Sequence, residues 1–98
     1  MELVLDYNKR YTYADYLTWM DDKMRELING FVKLMSPAPV SPHQVAGGVL
    51  YRKLGNIADR NKGNCVVLYA PFDVRLPQNG ETADDKIYTV VQPDICVV

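Results

Sequence analysis

The chain has 98 residues, 11 Lys+Arg against 12 Asp+Glu, a net charge of −1 and an apolar fraction of 48%. At this size roughly 65% of the unfolded surface can be buried, enough for a single core. The charge balance excludes an overall basic field that would gather nucleic acid or anionic lipid. No apolar run is long enough to span a bilayer, and the N-terminus lacks the pattern of a signal peptide, so the sequence reads as a soluble cytoplasmic protein with no membrane partner.

Thr12-Tyr13-Ala14-Asp15 has the form of a helix start, with the hydroxyl free to take a backbone N–H and the carboxylate in the first turn. Tyr13, Tyr16, Leu17 and Met20 follow at helical spacing and predict one apolar face before Asp21-Asp22 ends the element. Asn29-Gly30 lies between the segments 24–28 and 31–35 and is a strong hairpin signal, because a type I′ turn needs positive φ at both central residues. That turn pairs Ile28 with Phe31, Leu27 with Val32, Glu26 with Lys33 and Arg25 with Leu34. It predicts a Glu26–Lys33 ion pair and a buried face of Leu27, Val32 and Leu34.

The stretch 36–42 carries three prolines and predicts an extended connection. It leads into a helix over 42–60, with Ser41 as cap, Pro42 at the first helical position and Gln44 where a capping box takes Glu or Gln. Ala46, Val49, Leu50, Leu54 and Ile57 form its stripe, and Lys53 falls inside that stripe, where its stem can lie along the rim. Asn61-Lys62-Gly63-Asn64 stops the helix. Strands are predicted over 65–69 and 72–76, read as one long edge-type strand bent at Pro71. A polar loop over 77–86 has Asn79-Gly80 at its tip, and a last strand covers 87–98. Cys65 and Cys96 have no ligand spacing around them and read as small apolar residues.

The apolar ending Ile95-Cys96-Val97-Val98 reads as a central strand that wants neighbours on both edges. Residues 1–98 are therefore expected to be one truncated domain, or a chain that completes its sheet by assembly into a homo-oligomer. Asp94 stands out as a carboxylate within that strand, which on burial needs a metal, a cation or several N–H donors. His43, the single histidine, sits at the helix start, where its residue type and place read first as a surface or half-buried helix-start residue. Gln44 has its capping role and Glu26 its ion pair. Arg52, Lys53, Arg60 and Lys62 form a basic patch of the kind usual on a solvated helix face. No serine-hydrolase, nucleotide-binding or zinc motif is present.

Taken in order, Tyr13-Ala14-Asp15-Tyr16-Leu17, Arg25-Glu26-Leu27-Ile28-Asn29-Gly30-Phe31-Val32, Met35-Ser36-Pro37, Ser41-Pro42-His43-Gln44, Ala70-Pro71-Phe72-Asp73-Val74 and Val91-Gln92-Pro93-Asp94-Ile95-Cys96-Val97-Val98 form a pattern. It resembles the Uma-two family of restriction-endonuclease-like proteins over nearly the whole chain, with Asn29 where that family usually has Asp.

The resemblance implies the N-terminal portion of a PD-(D/E)XK-like α/β (α+β) fold: short helix, β-hairpin, long helix, then antiparallel or mixed strands. It implies a Mg²⁺- or Mn²⁺-dependent DNA endonuclease in which Asp94 is a metal-binding carboxylate and Glu26, His43 and Gln44 occupy further site positions. Such a metal takes one or two carboxylates plus phosphate and water. In the family pattern the second acidic residue and a lysine come after position 98, so the 98-residue chain is expected to be inactive by itself. The alternative is a non-catalytic module that keeps the fold and uses its surface for protein association.

Overall fold

The computed structural model describes residues 3–35 and 41–98. The fold is mixed α+β, with one long helix and antiparallel sheets of four and two strands. Its elements are α1 (Tyr13–Tyr16), β1 (Arg25–Ile28), β2 (Phe31–Leu34), α2 (Ser41–Arg60), β3 (Val67–Tyr69), β4 (Val74–Arg75), a 3-10 turn at Asp84–Lys86, β5 (Val90–Val91) and β6 (Ile95–Val97). These build two compact units. One combines the N-terminal elements with Asp73–Gln92, and the other combines α2 and β3 with Pro93–Val98. Among the described residues no helix is long and apolar enough to cross a membrane.

In the first unit the Asn29-Gly30 turn forms as expected, with φ of 51° and 90°. All four expected cross-strand pairs of β1 and β2 are present. The turn is clasped from two sides. Tyr11 N–H donates to Gly30 O, Gly30 N–H donates to Tyr88 O, and Asn29 N–H donates to Thr89 Oγ1. The sheet order is β2-β1-β5-β4, with Leu27 opposite Val90 and Val74 opposite Val91.

Leu27, Val32, Ile87 and Val90 are the buried centre, and Leu5, Tyr11, Tyr13, Tyr16 and Trp19 pack over it. Leu34 shares the side of Leu27 but is half exposed, because it lies at the far end of the edge strand β2. Thr12 and Asp15 make the expected reciprocal capping box. The helix that they start is only one turn long, however. Leu17 is exposed and Met20 is 90% exposed, because the chain leaves helical geometry and delivers Trp19 to the core instead.

In the second unit α2 runs from Ser41, so Ser41 is the first helical residue rather than the cap. The expected connection over 36–40 lies outside the described residues. The helix ends as expected in a turn in which Lys62 and Gly63 have φ of 57° and 81°. It meets β3 where Gly47 lies under Tyr69: a Cβ at Gly47 would come within 2.6 Å of the Tyr69 hydroxyl. Tyr51 then packs edge-on against the Tyr69 ring at 5.6 Å.

Two strand expectations fail. β3 and β4 are not one bent strand: the chain turns at Ala70–Pro71 and the two join different sheets. The stretch 87–98 is likewise divided. β5 pairs with β1 and β4, whereas β6 pairs with β3. Pro93, which has no N–H for a ladder, and Asp94 lie in the break between them. Cys65 and Cys96 are half-buried free thiols.

Candidate functional site

The residues with chemistry fall into two groups, one in each unit. In the first unit, continuing the β4–β5 register by one residue sets Asp73 opposite Gln92. The Gln92 side-chain amide donates to Asp73 Oδ1 at 3.0 Å and to the Tyr16 hydroxyl at 2.8 Å. Tyr16 Oη lies 2.8 Å from Asp73 Oδ1 and 3.0 Å from the Arg25 carbonyl oxygen, either of which can take its proton. Tyr13 Oη approaches the other Asp73 oxygen at 3.5 Å. The backbone N–H of Gln92 donates to Glu26 Oε2 at 2.8 Å. One residue, Gln92, thus holds two carboxylates, one through its backbone and one through its side chain.

The electrostatics follow from this packing. Burial, and then the hydrogen bond and charge of Asp73, push the Tyr16 hydroxyl up to about 12. Burial and the same carboxylate also raise Tyr13. Next to the cluster Arg25 is 6% exposed and makes a two-pronged bond with Asp21, at 2.7 and 2.8 Å. The guanidinium hydrogen bonds hold Asp21 below the usual carboxylate range.

In the second unit His43 Nε2 lies 3.3 Å from Asp94 Oδ2. Asp94 is 66% exposed. The sequence expectation of a buried carboxylate in mid-strand is therefore wrong, and its cause is the break at Pro93. Asp94 is paired with neither Arg nor Lys among the described residues, and its partner is the imidazole. Gln44 is exposed on the first turn of α2. Among the described residues no hydrogen bond joins it to Ser41, so the expected capping box is absent. Glu26 and Lys33 stand opposite each other in register, but Glu26 takes the Gln92 N–H and forms no ion pair with Lys33 among the described residues.

Of the expected site residues the structure brings His43 and Asp94 together, and it places Glu26 in the Gln92 cluster. Sequence reasoning did not single out Tyr16, Asp73 and Gln92. Each had a local explanation, as a helix face or as the outward position of a strand. Their one signal was that all three lie in the segments carrying the family resemblance.

No three His, Cys, Asp or Glu side chains among the described residues come together as a ready-made metal cage. The fit to a hard divalent cation is narrower. Asp94 Oδ1 makes no hydrogen bond or ion pair among the described residues, and a hydrated Mg²⁺ needs only one or two carboxylates from the protein. No protein-family model matches the chain, and no curated protein matches it.

Proposed function

We propose that the chain is part of a Mg²⁺- or Mn²⁺-dependent endonuclease that hydrolyses DNA phosphodiesters, with Asp94 as a metal-binding carboxylate. The observation that supports the reading is the convergence in the first unit. Tyr16, Glu26, Asp73 and Gln92 come from four separate segments of the family resemblance and meet in one hydrogen-bonded polar cluster. When bound, the metal supplies charge stabilisation on the phosphodiester and a water of lowered pKa. The work of the chain is positional. Gln92 fixes the carboxylates of Asp73 and Glu26, and His43 stands 3.3 Å from one oxygen of Asp94.

The test is a plasmid-nicking assay on the whole gene product carrying residues 1–98, with Mg²⁺ or Mn²⁺ supplied. Cleavage that is lost in Asp94→Ala, together with weaker Mn²⁺ binding by calorimetry, is the expected result. An intact plasmid and equal Mn²⁺ binding in both proteins would overturn it. A second reading, a non-catalytic association module, is supported by the net charge of −1 and by the exposed apolar residues of α2 and β6.

A further inference from the structure

His43 and Asp94 belong to the same unit, and the packing of α2 on the β3–β6 ladder sets their meeting. Residues 43, 47 and 51 are four apart and lie along one row of the helix. Gly47 and Tyr51 of that row meet the Tyr69 side chain of β3. Tyr69 pairs with Ile95 across the ladder, and the next residue, Ala70, donates its N–H to Asp94 O at 2.9 Å. His43 stands one turn before Gly47, and Asp94 one residue before Ile95. Backbone structure therefore places both, from the helix side and from the strand side.

The contact is a poor structural ion pair. The 3.3 Å between His43 Nε2 and Asp94 Oδ2 exceeds the ~2.7–2.9 Å of a charge-assisted N–H···O bond. Among the described residues no hydrogen bond joins the two side chains. They are 47% and 66% exposed, so burial does not force them together. The separation is instead that of two ligands of one metal ion. With metal–ligand bonds of about 2.0–2.2 Å, neighbouring donors stand about 3.0 Å apart in an octahedral site and about 3.4 Å in a tetrahedral one. Exposure leaves the other coordination positions to water or to a phosphate oxygen. Neither Lys nor Arg pairs with Asp94 among the described residues, so no fixed cation takes the place of the ion.

One imidazole with one carboxylate also carries a chemical preference. Mg²⁺ is a hard ion that takes oxygen ligands and keeps much of its water. Imidazole suits first-row transition ions, and a mixed nitrogen–oxygen site binds Zn²⁺ more tightly than Mn²⁺.

We propose that His43 Nε2 is the second protein ligand of the ion held by Asp94, and that the pair selects a divalent transition ion, Zn²⁺ or Mn²⁺, over Mg²⁺. The proposal rests on the reading of Asp94 as a metal-binding carboxylate and adds the residue that decides which ion is taken.

The experiment uses the 98-residue chain without a histidine tag, so that His43 is the single imidazole and its ring nitrogens give the only such signals. Cys65→Ser and Cys96→Ser remove the thiols as competing ligands. In nitrogen NMR, Zn²⁺ alone should move the Nε2 signal far more than Nδ1, and Asp94→Ala should abolish the shift. In calorimetry His43→Ala should weaken Zn²⁺ binding about 10- to 100-fold, the loss that follows removal of even an outer partner of a metal ligand. The loss should be smaller for Mn²⁺ and absent for Mg²⁺. His43→Asp exchanges nitrogen for oxygen and should strengthen Mg²⁺ binding while weakening Zn²⁺ binding, with an unchanged circular dichroism spectrum. An imidazole unmoved by Zn²⁺, in a protein whose metal binding is still lost in Asp94→Ala, overturns the role of His43 and leaves Asp94 as a metal carboxylate. An imidazole shift that persists in Asp94→Ala marks a lone surface histidine and overturns the paired site. Equal binding of all three ions by wild type and Asp94→Ala overturns both readings.

Discussion

The backbone N–H of Gln92 donates to the carboxylate of Glu26 across 66 residues of chain, at 2.8 Å in a part-buried setting. Glu26 is thereby drawn away from Lys33, its cross-strand neighbour. Removing the acceptor leaves a part-buried N–H without a partner, which costs about 1–3 kcal/mol. Glu26→Ala should lose stability in that range by urea denaturation. Lys33→Ala should change it by less than about 0.5 kcal/mol. Equal losses in the two variants would mean that the ion pair, not the Gln92 bond, holds this carboxylate.

Tyr16 makes the alkaline limb of stability steep. Its hydroxyl is raised from the ordinary 10.0 to about 12 by burial and by the Asp73 carboxylate. A raised acid group favours its protonated form in the fold. Its contribution is therefore complete below pH 10 and disappears as the pH rises through about 12. Absorbance titration of the phenolates should show Tyr16 ionising last, with Tyr13 also late. Tyr16→Phe should lose about 1 kcal/mol at neutral pH and flatten the decline above pH 10.

Asp21 governs the acid side. Hydrogen bonds from Arg25 lower its carboxyl below the ordinary 3.8, with burial opposing. A lowered carboxyl contributes stability that is present above pH 3.8 and is lost as the pH falls through the depressed value. Asp21→Asn should be less stable than wild type at pH 7, and the two should converge in acid. Thermal melts at a series of pH values read this directly.

Gly30 is strained for any other residue. Its φ is 90°, and an added Cβ would meet Arg10 Cβ at 2.9 Å and the Tyr11 carbonyl oxygen at 3.2 Å. Gly30→Ala should cost on the order of 1–3 kcal/mol in urea denaturation. Gly55→Ala in α2, where an added Cβ meets nothing within 4 Å, should be neutral or stabilising by up to about 1 kcal/mol.

What the sequence made legible was local. The type I′ turn carries its own signature, and it sets the full β1–β2 register because two-residue loops leave no freedom. The capping box at Thr12 and the span of α2 were readable for the same reason. The partners of β3, β4, β5 and β6 were not. An apolar run continues through Pro71 and an alternating pattern through Pro93, so nothing local says that the chain changes sheets there. The cluster at Gln92 was unreadable because the register of β4 on β5 creates it, over a separation that periodicity does not encode. Asp94 was misplaced by the same continuity, which carried an apparent strand straight through its break.

The two Asn-Gly turns also set how the chain ages. Asparagine before glycine loses ammonia when the next backbone nitrogen attacks the side-chain amide, which converts a neutral residue to an acidic one. At Asn29-Gly30 that nitrogen is committed to Tyr88 O at 2.6 Å, so attack requires breaking the clasp around the hairpin. At Asn79-Gly80 both residues are exposed at positive φ, and the Gly80 nitrogen has no acceptor among the described residues. Stored protein therefore drifts toward a more acidic isoform by chemistry at position 79, while position 29 retains its amide for as long as the sheet stays folded.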